Sequence, residues 1–197
     1  MIRVGLLADT HVPYRAPEIP EEVLDALRSV DLILHAGDVD EPWALKPLES
    51  LAPVYAVRGN YHLFDRSDAG RSLPEDVELE LEGFHIAMTH GHQIGPAALL
   101  WKAWMAVQNL RGKWLFPLYD RSLIHKLLRR FPRADVIVFG HTHRFFTAWR
   151  DGVLMINPGA ALHTSYFGAP LVPSVAHLII EKGRAPDVLR VEIGDRR

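Results

Sequence analysis

Residues 135–143 read DVIVFGHTH. Four apolar, β-favouring residues run from Val136 to Phe139 without alternation and stop at Gly140. A short continuous run of this kind reads as a strand buried on both faces. His141 and His143 then close it, two positions apart. That ending suits a strand that merely surfaces in polar residues. It equally suits a pair of metal ligands fixed at the rim of a sheet.

Four other stretches repeat the form of an apolar run that ends in a polar cluster. They are IRVGLLADTH (2–11), DLILHAGD (31–38), VYAVRGN (54–60) and FHIAMTHGH (84–92). Between the first two, Pro20-Glu21-Glu22 opens a helix with apolar Val23, Leu24, Leu27 and Val30. Proline and acidic residues suit a helix start. A second short helix, disturbed by Pro47, is predicted near Trp43 to Leu51. Strands alternating with helices predict an α/β layered domain. Beyond His143 the texture changes. Phe145–Arg150, Asp151-Gly152 and Val153–Ile156 read as a hairpin with an Asp-Gly turn. Ser174–Glu181 and Asp187–Ile193 form a further pair of strands, joined across Lys182-Gly183-Arg184. These later strands predict a second, more antiparallel sheet. Two packed sheets flanked by helices give four layers.

The 197 residues fit one domain, 1–197, with an insertion. Apolar residues make up 48% and charged residues 23%, the balance of a globular chain with a substantial core. There is no cysteine, so thiolate chemistry is excluded, and a reducing cytoplasm is the expected location. A net charge of -2 carries no nucleic-acid signature, so no obligatory nucleic-acid partner is expected. The first residues lack the basic region and cleavage pattern of a signal peptide, and no apolar stretch predicts a transmembrane segment.

The insertion spans about residues 94–133 and is helical, tryptophan-rich and basic. Pro96 to Leu110 is apolar nearly all round, with Trp101, Trp104 and Met105, and Gly112 is its stop. A second helix takes Asp120 as N-cap and ends before Pro132, with Leu123, Ile124, Leu127, Leu128 and Phe131 on one face. Between Pro96 and Arg133 there are eight Lys/Arg against one acid. Three readings stand: a connection that completes the core, a homo-oligomer interface, or a cap for an anionic or lipid-like substrate.

The chemistry sits at the strand ends, in Asp9-x-His11, Gly37-Asp38, Gly59-Asn60, His90-Gly91-His92 and Gly140-His141-x-His143. Ligands of open α/β sheets bind outside the carboxyl ends of the strands, so these clusters converge. Residues i and i+2 of an extended segment face the same way, which would aim Asp9 with His11 and His141 with His143 together. Carboxylate, amide and imidazole donors without thiolate suit Mn²⁺, Fe, Zn²⁺, Co²⁺ or Ni²⁺. Seven side chains exceed one tetrahedral site, so two divalent ions sharing a carboxylate are the natural reading. Such binding needs neutral imidazoles and should weaken below about pH 6.

This ordered set of motifs resembles the calcineurin-like metallophosphoesterases, over roughly Ile2 to Pro158 and onward. The short chain is similar to the small bacterial and archaeal phosphodiesterase branch. The resemblance implies a four-layer α/β/β/α sandwich of two mixed β-sheets, as in metallo-dependent phosphatases. It implies that Asp9, His11, Asp38 and His143 hold one metal, and that Asp38, Asn60, His90 and His141 hold the other, with Asp38 bridging. The implied ions are transition metals, Mn²⁺ first. The implied reaction is hydrolysis of phosphate esters, phosphodiesters above monoesters, by in-line attack of a metal-bridging hydroxide. Nucleotides and lipid-linked phosphates are the candidate substrates.

One departure stands out. Where the family carries Gly-Asn-His-Asp/Glu, and its small branch often Gly-Asn-Cys-Asp, this chain reads Gly59-Asn60-Tyr61-His62. Either His62 or Tyr61 reaches the phosphate, or the enzyme lacks a general acid and prefers good leaving groups. Asn60 and His92 are the candidate substrate contacts, with a structural role for His92 as the alternative. His35 reads as a core imidazole hydrogen-bonded to a neighbour. His85, His125, His163 and His177 read as structural or surface residues. Asn157-Pro158-Gly159 reads as a turn packed near the site. Two rival functions are a non-catalytic protein-binding scaffold on the same fold and a nuclease. A degenerate scaffold should have lost ligands, and this chain retains all seven.

Overall fold

The computed structural model describes residues 1–59, 72–92, 116–166 and 169–194. Two five-stranded mixed sheets lie face to face. The first has the order β12-β11-β1-β2-β3, from β1 (Ile2–Leu7), β2 (Leu32–His35), β3 (Val54–Ala56), β11 (Ser174–Ile180) and β12 (Asp187–Glu192). The second has the order β4-β5-β6-β8-β7, from β4 (Asp76–Leu81), β5 (Phe84–Thr89), β6 (Val136–Phe139), β7 (Phe145–Arg150) and β8 (Val153–Pro158). β9 (Thr164–Tyr166) and β10 (Ala169–Leu171) form a separate small hairpin.

Each large sheet has three parallel strands, β1-β2-β3 and β5-β6-β8; antiparallel strands flank the set on one side in the first sheet and on both sides in the second. The period of two divides their side chains between layers. Val4, Leu6, Leu34, Ile86, Met88, Val136, Val138 and Ile156 fill the space between the sheets. Their neighbours turn outward. Leu7 and Ile33 meet α1 (Glu21–Leu27) and α2 (Lys46–Glu49) through Val23, Leu27 and Leu48. Ala87, Ile137 and Phe139 meet α3 (Phe116–Arg130) through Leu123 and Leu127. The order of layers is therefore α/β/β/α. Residues alternating along an unbroken apolar strand serve two different cores, which is why the runs show no polar alternation.

Local signals place the elements. Glu21 and Glu22 sit in the first turn of α1, where carboxylates favour the helix dipole, and Val23 and Leu27 are buried one turn apart. Asp151-Gly152 turns the β7–β8 hairpin with both residues at positive φ, 51° and 82°. A salt-bridge cluster of Arg130 with Glu75 and Asp76 ties the end of α3 to β4.

Several expectations are corrected. The hairpin β11–β12 joins the first sheet beside β1, whereas β5 and β6 belong to the second. A sequence pattern marks strands but carries no sheet membership. β3 is an edge strand and exposes Tyr55, so it is not buried on both faces. Asp120 lies inside α3 and does not cap it, because the helix starts at Phe116. β4 is an additional strand, masked by its acidic residues Asp76, Glu78 and Glu80. The Pro96–Leu110 segment and most of the insertion lie outside the described residues. Among the described residues no helix is long and apolar enough to cross a membrane.

Candidate metal centre

The carboxyl ends of the parallel strands from both sheets meet at one edge. Asp9 and His11 follow β1, Asp38 follows β2, His90 and His92 follow β5, and His141 and His143 follow β6. Backbone hydrogen bonds lock these segments together. Asp9 N–H donates to Gly37 O (3.0 Å), His11 N–H to Asp38 O (2.9 Å) and Gly140 N–H to His90 O (3.2 Å). Two further bonds cross between sheets. His90 Nδ1–H donates to Ala36 O (2.8 Å), and His141 N–H donates to Asp9 Oδ1 (3.2 Å).

The predicted donors that fall within the described residues come together. Asp9, His11, Asp38 and His143 offer ligand atoms that all lie within 4.8 Å of one another. Asp38 Oδ2 faces His11 Nε2 at 3.3 Å and His90 Nε2 at 3.4 Å, so one oxygen adjoins imidazoles from both sheets. Asp9 Oδ1 lies 3.4 Å from His143 Nε2 and 3.9 Å from His90 Nε2. The His141 ring packs edge-on against His90, with centroids 5.2 Å apart. The His92 ring centroid lies 5.6 Å from that of His90. Asn60, Tyr61 and His62 lie outside the described residues.

Close approach explains two of the glycines. A Cβ at Gly59 would collide with Asp38 Oδ1 and the Asp38 backbone nitrogen. A Cβ at Gly37 would stand 2.6 Å from His90 Nδ1, and its φ of 95° also suits glycine.

Electrostatics set the protonation of the ion-free cluster. Burial acts to raise the Asp9 carboxyl, but His143 and His90 outweigh it and hold it below the usual range. Burial opposes charge on His90, yet Asp38 and Asp9 push it up to about 9. Burial, aided by the His90 charge, pushes His141 down to about 3 and His92 to about 4. Neighbouring carboxylates thus favour the charged form of His90, while burial favours the neutral forms of His92 and His141.

The donor set fits a cation. It combines carboxylate oxygens with imidazole nitrogens, and Asp9 Oδ2 is buried with no hydrogen-bond partner among the described residues. A buried carboxylate oxygen left in that state is costly unless a positive charge reaches it.

Three supporting residues were not singled out for these roles in the sequence. Asp40 is fully buried, with Oδ1 3.5 Å from His11 Nδ1. Thr10 Oγ1–H donates to Asp38 O (3.3 Å) and accepts from His35 Nε2 (3.0 Å). That makes His35 the hydrogen-bonded core imidazole expected, and burial pushes it down to about 4. Asn157 Nδ2 donates to Gly140 O (2.7 Å) and Thr142 Oγ1 (3.1 Å), while its Oδ1 accepts from Gly159 N–H (2.9 Å). The Asn-Pro-Gly turn thus braces the segment carrying His141 and His143. An Asp two positions after Asp38 was the one available signal for Asp40.

A family model described as the calcineurin-like phosphoesterase superfamily domain matches residues 2–182. The chain belongs to that superfamily. A probable metallophosphoesterase of Methanothermobacter thermautotrophicus is 36% identical over 157 residues, covering 80% of this chain and 76% of the relative. One from Methanocaldococcus jannaschii is 33% identical over 157 residues, covering 80% and 67%. Among solved structures, zinc-complexed Vps29 of Entamoeba histolytica is similar at 25% identity and a TM-score of 0.68, covering 98% of this chain and all of that one. Membership supports a phosphoesterase hydrolase, and the buried carboxylate–imidazole cluster is where this superfamily member could hold metal.

Proposed function

We propose that the chain is a dinuclear metal-dependent phosphodiesterase. Asp9, His11, Asp38 and His143 would hold one divalent ion, and Asp38, Asn60, His90 and His141 the other. The observation that carries this reading is Asp38 Oδ2, which faces His11 and His90 at nearly equal distances. A carboxylate so placed is suited to share two cations. Mn²⁺ is the first choice of ion, with Fe, Zn²⁺, Co²⁺ and Ni²⁺ sharing the same donor preference. When bound, divalent ions neutralise phosphoryl oxygens and acidify a water for in-line attack.

The chain's own residues present this chemistry. His90 donates Nδ1–H to Ala36 O, which leaves Nε2 to face Asp38. His141 and His92 remain neutral at physiological pH and keep their lone pairs. The His141 backbone N–H steadies Asp9, and Thr164 Oγ1 lies 3.4 Å from His143 Nδ1. His92 faces the substrate, and His62 or Tyr61 contacts the phosphate and assists the leaving group. Nucleotides and lipid-linked phosphates are the substrate classes to try first, in the cytoplasm.

The test pairs elemental analysis with turnover on nucleotide, lipid and model phosphodiesters with Mn²⁺. Asp38→Ala should abolish turnover and release metal; full metal with retained turnover would refute the assignment. His62→Ala should slow unactivated esters more than activated ones. Bound metal with no turnover on any ester would favour a protein-binding scaffold. Binding of DNA or RNA that falls steeply with salt would favour a nuclease.

A further inference from the structure

Asp40 has no place in the ligand set, yet it is fully buried beside it. Neither of its carboxylate oxygens has a hydrogen-bond partner among the described residues. Its backbone is left-handed, with φ of 62°, as are those of Asp38 (57°) and His11 (49°). A non-glycine residue held there, with an unsatisfied buried carboxylate, is an expensive choice unless the carboxylate acts on something. What it faces is the His11 ring, at 3.5 Å from Oδ1 to Nδ1. The other ring nitrogen, Nε2, faces Asp38 Oδ2 at 3.3 Å.

His11 therefore stands between two carboxylates, one facing each ring nitrogen. Asp38 favours the tautomer protonated on Nε2, which cannot ligate through that nitrogen. Asp40 favours the tautomer protonated on Nδ1, which can. A cation held beside Nε2 would offset the pull of Asp38 and leave the ring N–H facing Asp40. The backbone bond from His11 N–H to Asp38 O holds the two segments in register.

We propose that Asp40 is a positioning residue for His11. Its carboxylate fixes the Nδ1–H tautomer and so makes Nε2 a better donor to a divalent ion at the Asp9, His11, Asp38 and His143 cluster. This inference rests on the metal-binding reading above. Outer carboxylates that orient a ligating histidine typically contribute 10–100-fold in metal affinity.

The experiment is calorimetric titration of Zn²⁺ into the full chain, for wild type, Asp40→Asn and Asp40→Ala, with melting of each ion-free protein alongside. The expected result is Zn²⁺ affinity about 10–100-fold weaker in both variants, with ion-free stability unchanged or raised, because a buried unpaired carboxylate has been removed. The Co²⁺-loaded wild type should also show a low-field exchangeable ring N–H, absent in His11→Gln and displaced in Asp40→Asn. Asp40→Asn retains the shape, so it serves if Asp40→Ala does not fold. Wild-type-like affinity and an unmoved N–H signal in Asp40→Asn would overturn the positioning role while leaving the metal site intact. A wild type that binds no Zn²⁺ would overturn both.

Discussion

In the proposed metal site, His90 carries the proton that a cation would have to displace. In the ion-free protein its Nε2 lies 3.4 Å from Asp38 Oδ2, and the neighbouring carboxylates push the imidazole up to about 9. Ligation through Nε2 requires that proton to leave. At pH 7 the site is two pH units below that value, so proton competition weakens metal binding about 100-fold, or about 3 kcal/mol, relative to binding well above pH 9. His141 is pushed down to about 3 and enters neutral, so it releases nothing. Calorimetric titration of Mn²⁺ in buffers of different ionisation enthalpy should count about one proton released per site at pH 7. The apparent affinity should rise roughly tenfold per unit between pH 6.5 and 8.5. His90→Gln should abolish both effects. The requirement for a neutral imidazole thus reaches well above the value near 6 expected for an ordinary histidine. The same proton has a stability consequence of fixed sign. A raised histidine stabilises the fold below its unfolded value of 6.5, and that contribution is lost as pH rises through about 9. The ion-free chain in chelator should lose up to about 3 kcal/mol over that window by urea unfolding. Metal binding with no proton release at pH 7, and an affinity flat from pH 7 to 9, would refute the reasoning.

Three further outcomes are expected. Gly59→Ala drives a methyl into Asp38 and should weaken Mn²⁺ binding about 10–100-fold by calorimetry, the loss typical when a group supporting a metal ligand is altered. Asn157→Ala strips hydrogen bonds from Gly140 O, Thr142 and Gly159 N–H, so unfolding free energy should fall by about 2–3 kcal/mol and metal affinity should fall with it. Leu127→Ala, in the core between α3 and the second sheet, should cost about 2–5 kcal/mol in denaturant while turnover per folded molecule stays unchanged.

Much of the fold was legible because the strands that build the site are buried on both faces. Val136–Phe139 and Ile2–Leu7 announce themselves as apolar runs, and the β7–β8 turn is written in Asp151-Gly152. The candidate donors among the described residues were legible because each follows such a run. Sheet membership was not, since β11 pairs with β1 across nearly the whole chain and nothing local records that partner. β4 was hidden by the opposite effect. It is an edge strand whose Glu78 and Glu80 are exposed and interleave with its apolar residues, so its apolar signal is diluted. Asp40 and Asn157 were obscure for a third reason. Their roles depend on partners 29 and 17 positions away, which only the folded chain brings near.

Asp9 and His11 do share one cluster, with His143 beside them, but not through the expected alternation. Alternation along an extended strand was to aim Asp9 with His11 and His141 with His143. Instead both strands end first, and Asp9, His11, Asp38, His141 and His143 all take left-handed backbones, with φ between 49° and 69°. Each such residue costs on the order of 1–3 kcal/mol and persists only where its surroundings over-determine it. Here the surroundings are visible. The hydrogen bonds of Asp9 to Gly37, His11 to Asp38, Gly140 to His90 and Asn157 to Gly140 hold every turn from outside. Two hydrophobic layers behind them, one on each sheet, hold the strands that feed those turns. The strain is concentrated where the donors lie and is offset by cores that contribute no donor. Relaxing any one turn would swing its side chain away, so the fold keeps the cluster assembled before a cation arrives.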